Sequence, residues 1–516
     1  MQKSWFKILI AAVTAMAAIA TGPGCAGPGP KLAPVAPLET VATDAGDVEH
    51  RYDMNDDGKP DYAEFLNADG RVHRLQFDTD NDGVLEAVVD RLSAGSNEGD
   101  RQLVVLLDSI PYGVVHEAWQ AGRFRLFPPP SRVISPFPVM TDLSFSEFFG
   151  VSPSRGAESE YYDGKVLHGG YDVYAAEGNA GWLGHTDYHL QFIAHAVAYL
   201  WPDIWYGHEL GKIQRHFYRG QENPFVGYVV TTSGLGATQG RSGHQSALVR
   251  LDRFCQAVMF ELRGRVQITL MSDHGHCLLP SKRIPLSDLL KKFGYRVTSR
   301  LRGPADVVVP EFGVVNYAGV YTQSPDSVAR DMIGVDGIEL TTFLDKDDAV
   351  VVRGKSGLAR IRRSAAGEGY RYDCEYGDPL LLLPVIDVLR QRGEVGPDGS
   401  IVDNLLFEAT KDHLYPDALH RLWRAFHGLM IHPPDVMASV QDGWHCGSEL
   451  MTKLVDVSAA HGSLNADSSS GFVMTTNGPL PEVIRMEALR ADLVRLGVEF
   501  RQQAQRDDSA ETAAGR

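Results

Sequence analysis

Apolar runs that stop at polar residues predict buried strands at two places in the chain. Residues 103–107 form a continuous apolar run that ends at Asp108, and residues 266–271 form a run that ends shortly before Asp273 and His274. The first run has the continuous apolar pattern of a strand buried on both faces, and the second is a short apolar run rich in β-branched residues. Since open α/β sheets bind ligands at the carboxyl ends of their strands, both ends are candidate functional positions. Asp273 and His274 place an oxygen and a nitrogen side by side, which suits Zn²⁺.

A strand, a helix and a second strand follow each other between residues 228 and 271. The pattern predicts a strand at 228–232, a glycine-rich loop at 233–240 and an amphipathic helix at 245–262. This βαβ order predicts a parallel sheet and hence an α/β fold. Other predicted elements are helices at 143–149, 190–200, 284–293, 380–390 and 415–430, and strands at 306–310, 314–317, 349–352, 359–362 and 471–476.

Two acidic segments near the N-terminus match the spacing of a calcium-binding loop. In the first segment, six residues fall at ligand or turn positions of the loop: Asp53, Asn55, Asp57, Gly58, Asp61 and Glu64. The second repeats most of the pattern with Asp78, Asp80, Asp82, Gly83 and Glu86. In the second copy Val89 stands where the last carboxylate would be, although Asp90 is adjacent. Bound Ca²⁺ with a structural role is therefore predicted.

The flanks of these loops predict strands rather than the paired helices of an EF-hand. Residues 71–77 alternate between apolar and polar side chains, and residues 67–70 have the composition of a hairpin turn. We therefore predict a small β module that carries two EF-hand-like calcium loops. An acidic hairpin without a bound ion is the alternative.

The first residues of the chain predict export. Lys3 and Lys7 precede or border an apolar run at 8–20, which suits the hydrophobic region of a signal peptide. Cys25 follows small residues, as at a bacterial lipoprotein cleavage site, although Gly22 stands where leucine is usual. Lipidation of Cys25 would hold the chain at the membrane surface of the cell envelope, periplasmic or on the outer membrane. Plain secretion is the alternative.

Composition adds limits on partners and redox state. The chain has 516 residues, of which 44% are hydrophobic and 22% charged, and a formal net charge of -17. This acidic balance argues against a nucleic-acid partner. A small phosphorylated substrate stays possible, because a bound metal ion can outweigh the net charge locally. Disulfides and free thiols are both open for the four remaining cysteines, which are Cys255, Cys277, Cys374 and Cys446.

The order of four motifs resembles the alkaline phosphatase superfamily, and in particular its nucleotide pyrophosphatase/phosphodiesterase-like branch. A strand ends in Asp108, a helix begins near Thr141, Asp273 and His274 lie in Ser-Asp-His-Gly, and His461 lies in His-Gly-Ser. Taken alone, Thr141 could be an ordinary helix cap. The resemblance covers about residues 102–496 and implies a central, mainly parallel sheet sandwiched by helices, with metal ions at its carboxyl edge.

The resemblance also implies a role for each of these residues. Asp108, Asp273 and His274 would bind one metal ion, and Thr141 would contact that ion and act as the nucleophile. His461 would bind a second ion. One or two Zn²⁺ ions are implied, with other divalent ions possible. A hydroxyl is a poor nucleophile until a metal ion or a base lowers its pKa, so these residue types form a consistent set.

One segment departs from the family pattern. The family supplies two ligands of the second ion from an Asp and a His four residues apart, and here Ser233 and Ala237 stand at the matching positions. His244 could take over such a role if the loop is rebuilt. A hydrolase with one ion, a site for a different substrate and an inactive relative all remain open.

The predicted domain organisation is a signal peptide and lipobox at 1–25, a flexible tether at 26–48, the calcium module at 49–95, and a catalytic domain at 101–496. Insertions are expected at about 156–222 and 340–440, and a disordered tail at 502–516. The leading hypothesis is an exported metal-dependent hydrolase of phosphate mono- or diesters. A surface binding protein that has lost catalysis and an envelope phospho-headgroup transferase are the alternatives.

Overall fold

The computed structural model describes residue 34 and residues 36–90, 100–157, 160–169, 181–190, 199–311, 313–365 and 367–501. Cys25 and the signal peptide, most of the predicted helix at 190–200, and the tail at 502–516 lie outside the described residues. Within them the chain alternates helices and strands, and the predicted α/β class is confirmed.

The strands are β1 Glu39–Ala42, β2 Val48–Tyr52, β3 Tyr62–Leu66, β4 Val72–Phe77, β5 Ala87–Asp90, β6 Arg101–Leu107, β7 Ser131–Ile134, β8 Tyr161–Tyr162, β9 Leu167–His168, β10 Phe225–Val229, β11 Val266–Ser272, β12 Lys282–Arg283, β13 Arg296–Val297, β14 Asp306–Val308, β15 Val314–Val315, β16 Tyr317–Thr322, β17 Ile338–Leu344, β18 Val350–Gly354, β19 Gly357–Arg363, β20 Gly369–Tyr376, β21 Ile401–Val402, β22 Val436–Val440, β23 Trp444–Gly447, β24 Ser470–Thr475 and β25 Val483–Arg485.

The helices of the described residues are α1 Tyr112–Gln120, α2 Thr141–Phe149, α3 Pro202–Arg219, α4 Thr231–Glu261, α5 Leu286–Lys292, α6 Pro325–Ile333, α7 Leu383–Gln391, α8 Asp403–Thr410, α9 Ala418–Phe426, α10 Glu449–Leu454, α11 Ala466–Ser469 and α12 Met486–Arg495. No helix among the described residues is both long enough and apolar enough to cross a membrane.

A six-stranded sheet carries the candidate site. Its strand order is β10-β6-β11-β24-β7-β25, and only β24 runs against the other five. Leu107 at the end of β6 pairs with Ser272 at the end of β11. The residues that follow these two strands, Asp108 and Asp273, therefore start at the same level of the sheet edge. The strands predicted at 103–107, 266–271 and 471–476 are confirmed as β6, β11 and β24.

The predicted loop at 233–240 is wrong, because α4 begins already at Thr231. The predicted strand at 228–232 ends early for the same reason, at Val229. The buried carboxylate of Glu209 accepts hydrogen bonds from the backbone N–H groups of Val230 and Thr231 and from the Thr231 hydroxyl. These bonds satisfy N–H groups of the first turn that have no partner inside the helix, and this offsets the cost of the glycines that follow.

A second, nine-stranded sheet has the order β13-β14-β16-β22-β17-β18-β19-β20-β21. The strands predicted at 306–310, 349–352 and 359–362 lie in it as β14, β18 and β19. The predicted strand at 314–317 is divided between β15 and β16, and the backbone N–H of Asn316 between them donates to the carbonyl of His461 at 2.7 Å. This sheet therefore holds one residue of the candidate site in place.

The N-terminal module is a five-stranded antiparallel sheet in the order β1-β2-β3-β4-β5. The prediction of a flexible tether at 26–48 is wrong for its last part, because β1 lies there and pairs with β2. The strands of the module flank both acidic loops, as predicted. Tyr62 packs against Phe260 of α4 with ring centroids 5.8 Å apart, and the guanidinium of Arg263 donates to the carbonyl of Asp78 at 2.9 Å. The apolar side chains of the module and of the six-stranded sheet form one continuous core.

All four cysteines of the described residues, Cys255, Cys277, Cys374 and Cys446, are free thiols. The sequence allowed either disulfides or free thiols, and the structure contains no disulfide among these four cysteines.

A partly buried ion-pair network joins α8, α9 and α12. The His420 ring lies 3.3 Å from the carboxylate of Asp403 and 3.2 Å from that of Glu487. Burial lowers the pKa of His420, but the bonds to these two carboxylates outweigh it and raise that pKa to about 9. The charged imidazole is therefore the stable form inside the protein at neutral pH.

We expect the His420→Gln variant to lose stability at neutral pH but not at alkaline pH. Because the pKa of His420 is higher in the folded protein than its usual 6.5, its contribution is fully present below pH 6.5 and is lost as the pH rises through about 9. The expected loss is on the order of 2 kcal/mol at about pH 6. Urea unfolding of both proteins at about pH 6 and about pH 10 measures this difference, and an equal loss at both pH values would contradict it.

Candidate metal and nucleophile site

Asp108, Asp273 and His274 meet at the carboxyl edge of the six-stranded sheet. One ligand atom from each lies within 4.8 Å of the others, and all three residues are buried. They come from the ends of the neighbouring strands β6 and β11, which is why residues far apart in sequence come together. The sequence prediction that these three side chains share one site therefore agrees with their positions.

The carboxylate of Asp273 uses only one oxygen for hydrogen bonds. Its Oδ1 accepts from the backbone N–H groups of Ser109 and His274, each at 2.9 Å. Its Oδ2 is buried, makes no hydrogen bond among the described residues, and lies 3.2 Å from Nε2 of His274. A buried oxygen left without a donor is costly unless another positive group faces it.

The hydrogen bond of the other ring nitrogen fixes the state of His274. Its Nδ1 lies 3.0 Å from the carbonyl oxygen of Gly275, and since a carbonyl only accepts, Nδ1 carries the proton. Burial lowers the pKa of His274 to about 4, so the ring is neutral at pH 7. The lone pair of Nε2 therefore faces Oδ2 of Asp273. Two acceptors in this arrangement fit a cation between them, and the donor set suits Zn²⁺.

Asp108 completes the group with a second buried carboxylate. It accepts hydrogen bonds from the Tyr228 hydroxyl at 2.7 Å and from the Ser109 hydroxyl at 2.5 Å. Burial, together with the charge of Asp273, raises the pKa of Asp108 to about 7, and burial raises that of Asp273 to about 7 as well. A divalent cation would offset the cost of holding both carboxylates charged in this place.

Thr141 is the first residue of α2 and faces the same group. Its Oγ1 lies 3.3 Å from Nε2 of His274, and its side chain is partly exposed while the three other residues are buried. The preceding residue, Met140, has an extended backbone and makes no side-chain cap. The first turn of a helix carries N–H groups without partners inside the helix, so an anion can bind beside this hydroxyl.

His461 lies next to the group but is not one of its three members. Its ring stacks on that of His274 with centroids 4.2 Å apart, and its Nδ1 donates to the carbonyl of Val139 at 2.9 Å. Burial and the neighbouring His274 lower the pKa of His461 to about 3. The neutral ring therefore offers the lone pair of Nε2.

Two further histidines adjoin the site. The sequence motifs did not include His276, and they gave His244 only as a possible substitute ligand. The His276 ring lies 5.5 Å from that of His461, and Nε2 of His244 lies 3.1 Å from Nδ1 of His276. His276 follows His274 by only two residues, which is the one signal for it in the sequence. His244 reaches the site through the fold of α4, which the sequence pattern does not predict.

The two residues that depart from the family pattern lie in the first turns of α4. Ser233 accepts a hydrogen bond from the Tyr199 hydroxyl at 2.9 Å, and its Oγ lies 3.2 Å from that of Ser109. The carbonyl of Ala237 accepts from the backbone N–H of Ser458 at 2.7 Å. Ser233 is therefore at the site without supplying a carboxylate there.

A small open pocket of about 30 Å³ is lined in part by Met140, the residue that precedes Thr141. Its lining is mostly apolar and aromatic, with one carboxylate, and includes Met140, Glu160, Tyr317, Tyr321 and Pro434.

In the second acidic loop of the N-terminal module, the carboxylates lie close enough together to share one ion. Ligand atoms of Asp78, Asp80, Asp82 and Glu86 all lie within 4.8 Å of one another. Such a set of oxygens suits Ca²⁺. The second loop therefore keeps its predicted calcium ligands together, although β4 and β5 replace the flanking helices.

The first acidic loop contacts the second through two asparagines. Nδ2 of Asn55 donates to Oδ1 of Asn81 at 2.7 Å, and Nδ2 of Asn81 donates to the carboxylate of Asp57 at 3.0 Å. Asp53 and Asp61 accept backbone N–H groups inside the first loop. Glu64 lies elsewhere: its fully buried carboxylate accepts from the hydroxyls of Tyr62 and Tyr52. Calcium binding by this loop stays a prediction.

We expect Ca²⁺ to raise the melting temperature of the wild-type protein and to have little effect on the Asp78→Asn variant. A ligand at 100 times its Kd stabilises a fold by about 2.7 kcal/mol, which is roughly a few degrees for a chain of this size. Asp69→Asn, in the exposed turn between β3 and β4, is the matched control. Thermal unfolding with and without Ca²⁺ gives the comparison, and an equal shift in both variants would exclude the second loop.

The comparisons with known proteins give a likeness in structure only. No protein-family model and no curated protein matches this chain. Solved structures of murine and human ectonucleotide pyrophosphatase / phosphodiesterase 5 are similar to it, with TM-scores of 0.41 and 0.42 and 12% sequence identity in both cases. Each match covers 78% of this chain and 96% of the other. The predicted resemblance agrees with these neighbours, but at this distance they carry no argument about activity.

Proposed function

We propose that this chain hydrolyses phosphoric esters at the site formed by Asp108, Thr141, Asp273 and His274. The observation that carries the proposal is the pair of facing acceptors, Oδ2 of Asp273 and Nε2 of His274, 3.2 Å apart. The Thr141 hydroxyl lies 3.3 Å from that same nitrogen. The arrangement has a place for a cation and, beside it, a hydroxyl that can attack phosphorus.

Asp108, Asp273 and His274 would hold one divalent cation, with Zn²⁺ the best match to two carboxylates and an imidazole. When bound, it would lower the pKa of the Thr141 hydroxyl and neutralise charge on the phosphate. The hydrogen bonds from Ser109 and Tyr228 orient the two carboxylates, and that from Nδ1 of His274 to Gly275 fixes its ring. These contacts set the geometry before any substrate arrives.

Thr141 would attack the phosphorus atom in line with the leaving group. The new Oγ1–P bond forms as the bond between phosphorus and the leaving oxygen breaks, and the hydroxyl proton ends on that oxygen. Water then hydrolyses the phosphothreonine, which returns the hydroxyl and releases the phosphate product. The partly exposed position of Thr141, beside three buried ligands, supports an approach of the substrate from the open side.

The proposal extends to the rest of the chain. The protein is exported, anchored through a lipid on Cys25, and carries Ca²⁺ in its N-terminal module as a structural ion. The six-stranded sheet is the centre of an alkaline phosphatase-like sandwich. A small phosphorylated compound is the substrate, and no nucleic acid is a structural partner. An acceptor at the envelope in place of water would make the same site a transferase.

A surface binding protein without catalysis is the second candidate function. It is favoured by Ser233, whose hydroxyl stands at the site where the family pattern has a carboxylate. A protein of this kind would still bind an ion at Asp108, Asp273 and His274 and would take a phosphorylated ligand without turning it over.

A metal-supplemented activity screen tests the proposal. The purified protein is stripped with a chelator, reloaded with Zn²⁺, Mn²⁺ or Mg²⁺, and assayed on a generic phosphomonoester, a phosphodiester and a sulfate ester. We expect turnover of a phosphoric ester that is lost on stripping and restored by reloading. Full metal occupancy with no turnover of any substrate would favour the binding protein.

A further inference from the structure

The residues around His461 do not fit the second metal ion that the family resemblance implies. Among the described residues, two groups bring three or more metal-ligand atoms within 4.8 Å of one another, one at Asp273 and one in the second acidic loop. His461 is in neither group. Because its Nδ1 is engaged with Val139, His461 offers a single nitrogen. A catalytic zinc ion usually has three protein ligands.

His244 and His276 do not supply the missing ligands, because they bond to each other. Nε2 of His244 and Nδ1 of His276 lie 3.1 Å apart, the length of an ordinary hydrogen bond. The backbone of α4 brings the two rings together, since Gly240 has φ 60° and ψ -139° and interrupts the helix four residues before His244. A Cβ atom at Gly236 would overlap both nitrogens, so the pair packs closely against α4.

Ser233 stands where the family pattern has a carboxylate, and it belongs to a chain of hydroxyl groups. The Tyr199 hydroxyl donates to Oγ of Ser233 at 2.9 Å, and the Ser109 hydroxyl donates to the carboxylate of Asp108 at 2.5 Å. The two serine oxygens lie 3.2 Å apart. Since the proton of Ser109 is already used, Ser233 donates to Ser109. All three hydroxyl groups therefore direct their protons toward Asp108.

This chain of hydroxyl groups has no charge to balance a second divalent cation. The group at Asp273 contains two carboxylates, whose charges one divalent cation balances. A second divalent cation beside His461 would have only neutral ligands and would lie close to the first. A buried charge without an opposite charge is costly. The side chains therefore favour a centre with one ion.

No cationic side chain takes the place of a second ion. Among the described residues, no lysine or arginine forms a hydrogen bond or an ion pair with Thr141 or with the three ligands Asp108, Asp273 and His274. In an in-line displacement the attacking and leaving oxygens lie on opposite sides of phosphorus, and two ions are needed to stabilise both. The ligands found here lie beside Thr141, which is the attacking side.

We propose that this chain works with a single catalytic cation and acts on phosphoric esters whose leaving group is a weak base, such as a phenol or an enol. This inference rests on the proposed function and adds the class of substrate to it. The bond between Oγ1 and phosphorus forms while the bond to the leaving oxygen breaks, and the electron pair of the broken bond stays on that oxygen. Without a cation on its side, the leaving oxygen carries this charge until the proton lost by Thr141 reaches it. A phenolate carries the charge at a lower cost than an alkoxide.

Zinc content tests the single ion without depending on turnover. Full-length protein is loaded with Zn²⁺ in excess Ca²⁺, so that the acidic loops do not take up zinc. It is then freed of unbound metal and analysed for zinc per chain by mass spectrometry. We expect one equivalent in the wild type, and none in Asp273→Asn. Two equivalents in the wild type would overturn the inference, and no zinc at all would overturn the proposed function as well.

A restored second site is the matched test. Ser233→Asp combined with Ala237→His supplies the carboxylate and the imidazole of the family pattern. Ser233→Asn combined with Ala237→His has the same size without the charge. We expect a second equivalent of zinc in the first double variant alone. The same zinc content in both would overturn the assignment of the missing ion to the missing charge.

Leaving-group dependence tests the class of substrate on the wild type alone. Methyl aryl phosphodiesters with phenols of graded acidity are compared by kcat/KM. We expect kcat/KM to fall roughly tenfold for each unit by which the pKa of the phenol rises, with no measurable turnover of a dialkyl ester. A fall of less than about twofold per unit would overturn the class of substrate. One zinc per chain without turnover of any ester would overturn the proposed function and the class of substrate, and would leave the single ion standing.

Discussion

The Thr141→Ala variant is expected to lose phosphoric ester turnover by a factor on the order of 10⁴ or more, with its zinc content and melting temperature nearly unchanged. The methyl group of alanine cannot form the bond to phosphorus, so the reaction would depend on direct attack by water. The metal ligands Asp108, Asp273 and His274 remain in place. Steady-state kcat and zinc per chain, measured on the same samples, check both parts of the expectation.

Two controls sharpen this experiment. Thr141→Ser keeps a hydroxyl at the helix start and should retain a measurable fraction of the activity. Ser144→Ala, three residues on in the same helix, removes a buried hydroxyl that makes no hydrogen bond among the described residues. It should leave kcat unchanged. Wild-type turnover in Thr141→Ala would reject the nucleophile and with it the proposed mechanism.

The Asp273→Asn variant is expected to become more stable without metal while it loses metal-dependent activity. In the metal-free protein, burial raises the pKa of Asp273 to about 7. Because this is above the unfolded value, the charged carboxylate destabilises the fold above that pH, and the penalty fades as the pH falls through about 7. Asparagine carries no charge and can still accept from Ser109 and His274. Its amide can also donate to Nε2 of His274, 3.2 Å away.

At pH about 8 with a chelator present, we expect the melting temperature of Asp273→Asn to be roughly several degrees higher than that of the wild type. Turnover with Zn²⁺ should fall at least about 10³-fold, since one ligand of the ion is lost. Thermal unfolding with chelator and with Zn²⁺, in both proteins, shows the two opposite effects. Asp435→Asn, which replaces a carboxylate that accepts the backbone N–H of Thr322 in the other sheet, is the matched control for metal dependence.

A lower metal-free melting temperature in Asp273→Asn would mean that this carboxylate stabilises the fold without a cation. The short distance between Oδ2 of Asp273 and Nε2 of His274 would then not require a cation. The proposed metal site would lose the observation that carries it.

The central strands were predictable because their signal is local. Residues 103–107 are apolar throughout, and residues 266–271 contain four apolar side chains among six. Such runs form strands when both faces are buried. The positions of Asp108, Asp273 and His274 follow from the ends of β6 and β11, which pair in register. Thr141 could be placed at a helix start for a similar reason, since the pattern at 143–149 is helical.

The start of α4 was not predictable from local pattern. Its glycines and threonines have the composition of a loop, and the helix depends on the buried carboxylate of Glu209, some twenty residues earlier in the chain. The interruption at Gly240 then brings His244 to His276. Side chains placed by such long-range contacts leave no periodic signal in the sequence.

The prediction of Glu64 as a calcium ligand failed for a different reason. The sequence has the spacing of a calcium loop there, but a strand follows the loop where a helix is expected. The spacing of the first loop puts Glu64 at the last ligand position of a loop that leads into a helix. Here β3 follows instead, and the strand directs Glu64 between two tyrosines. The spacing of the loop residues does not show whether a helix or a strand follows, so it does not show which way the Glu64 side chain points.

The common core of the N-terminal sheet and the six-stranded sheet affects how the protein can be produced. A shortened chain that starts near residue 100 would present Phe260 and its neighbours to water where Tyr62 now covers them. Exposed aromatic surface of that kind promotes aggregation. Expression for crystallisation or kinetics should therefore keep every residue from about 36 onward.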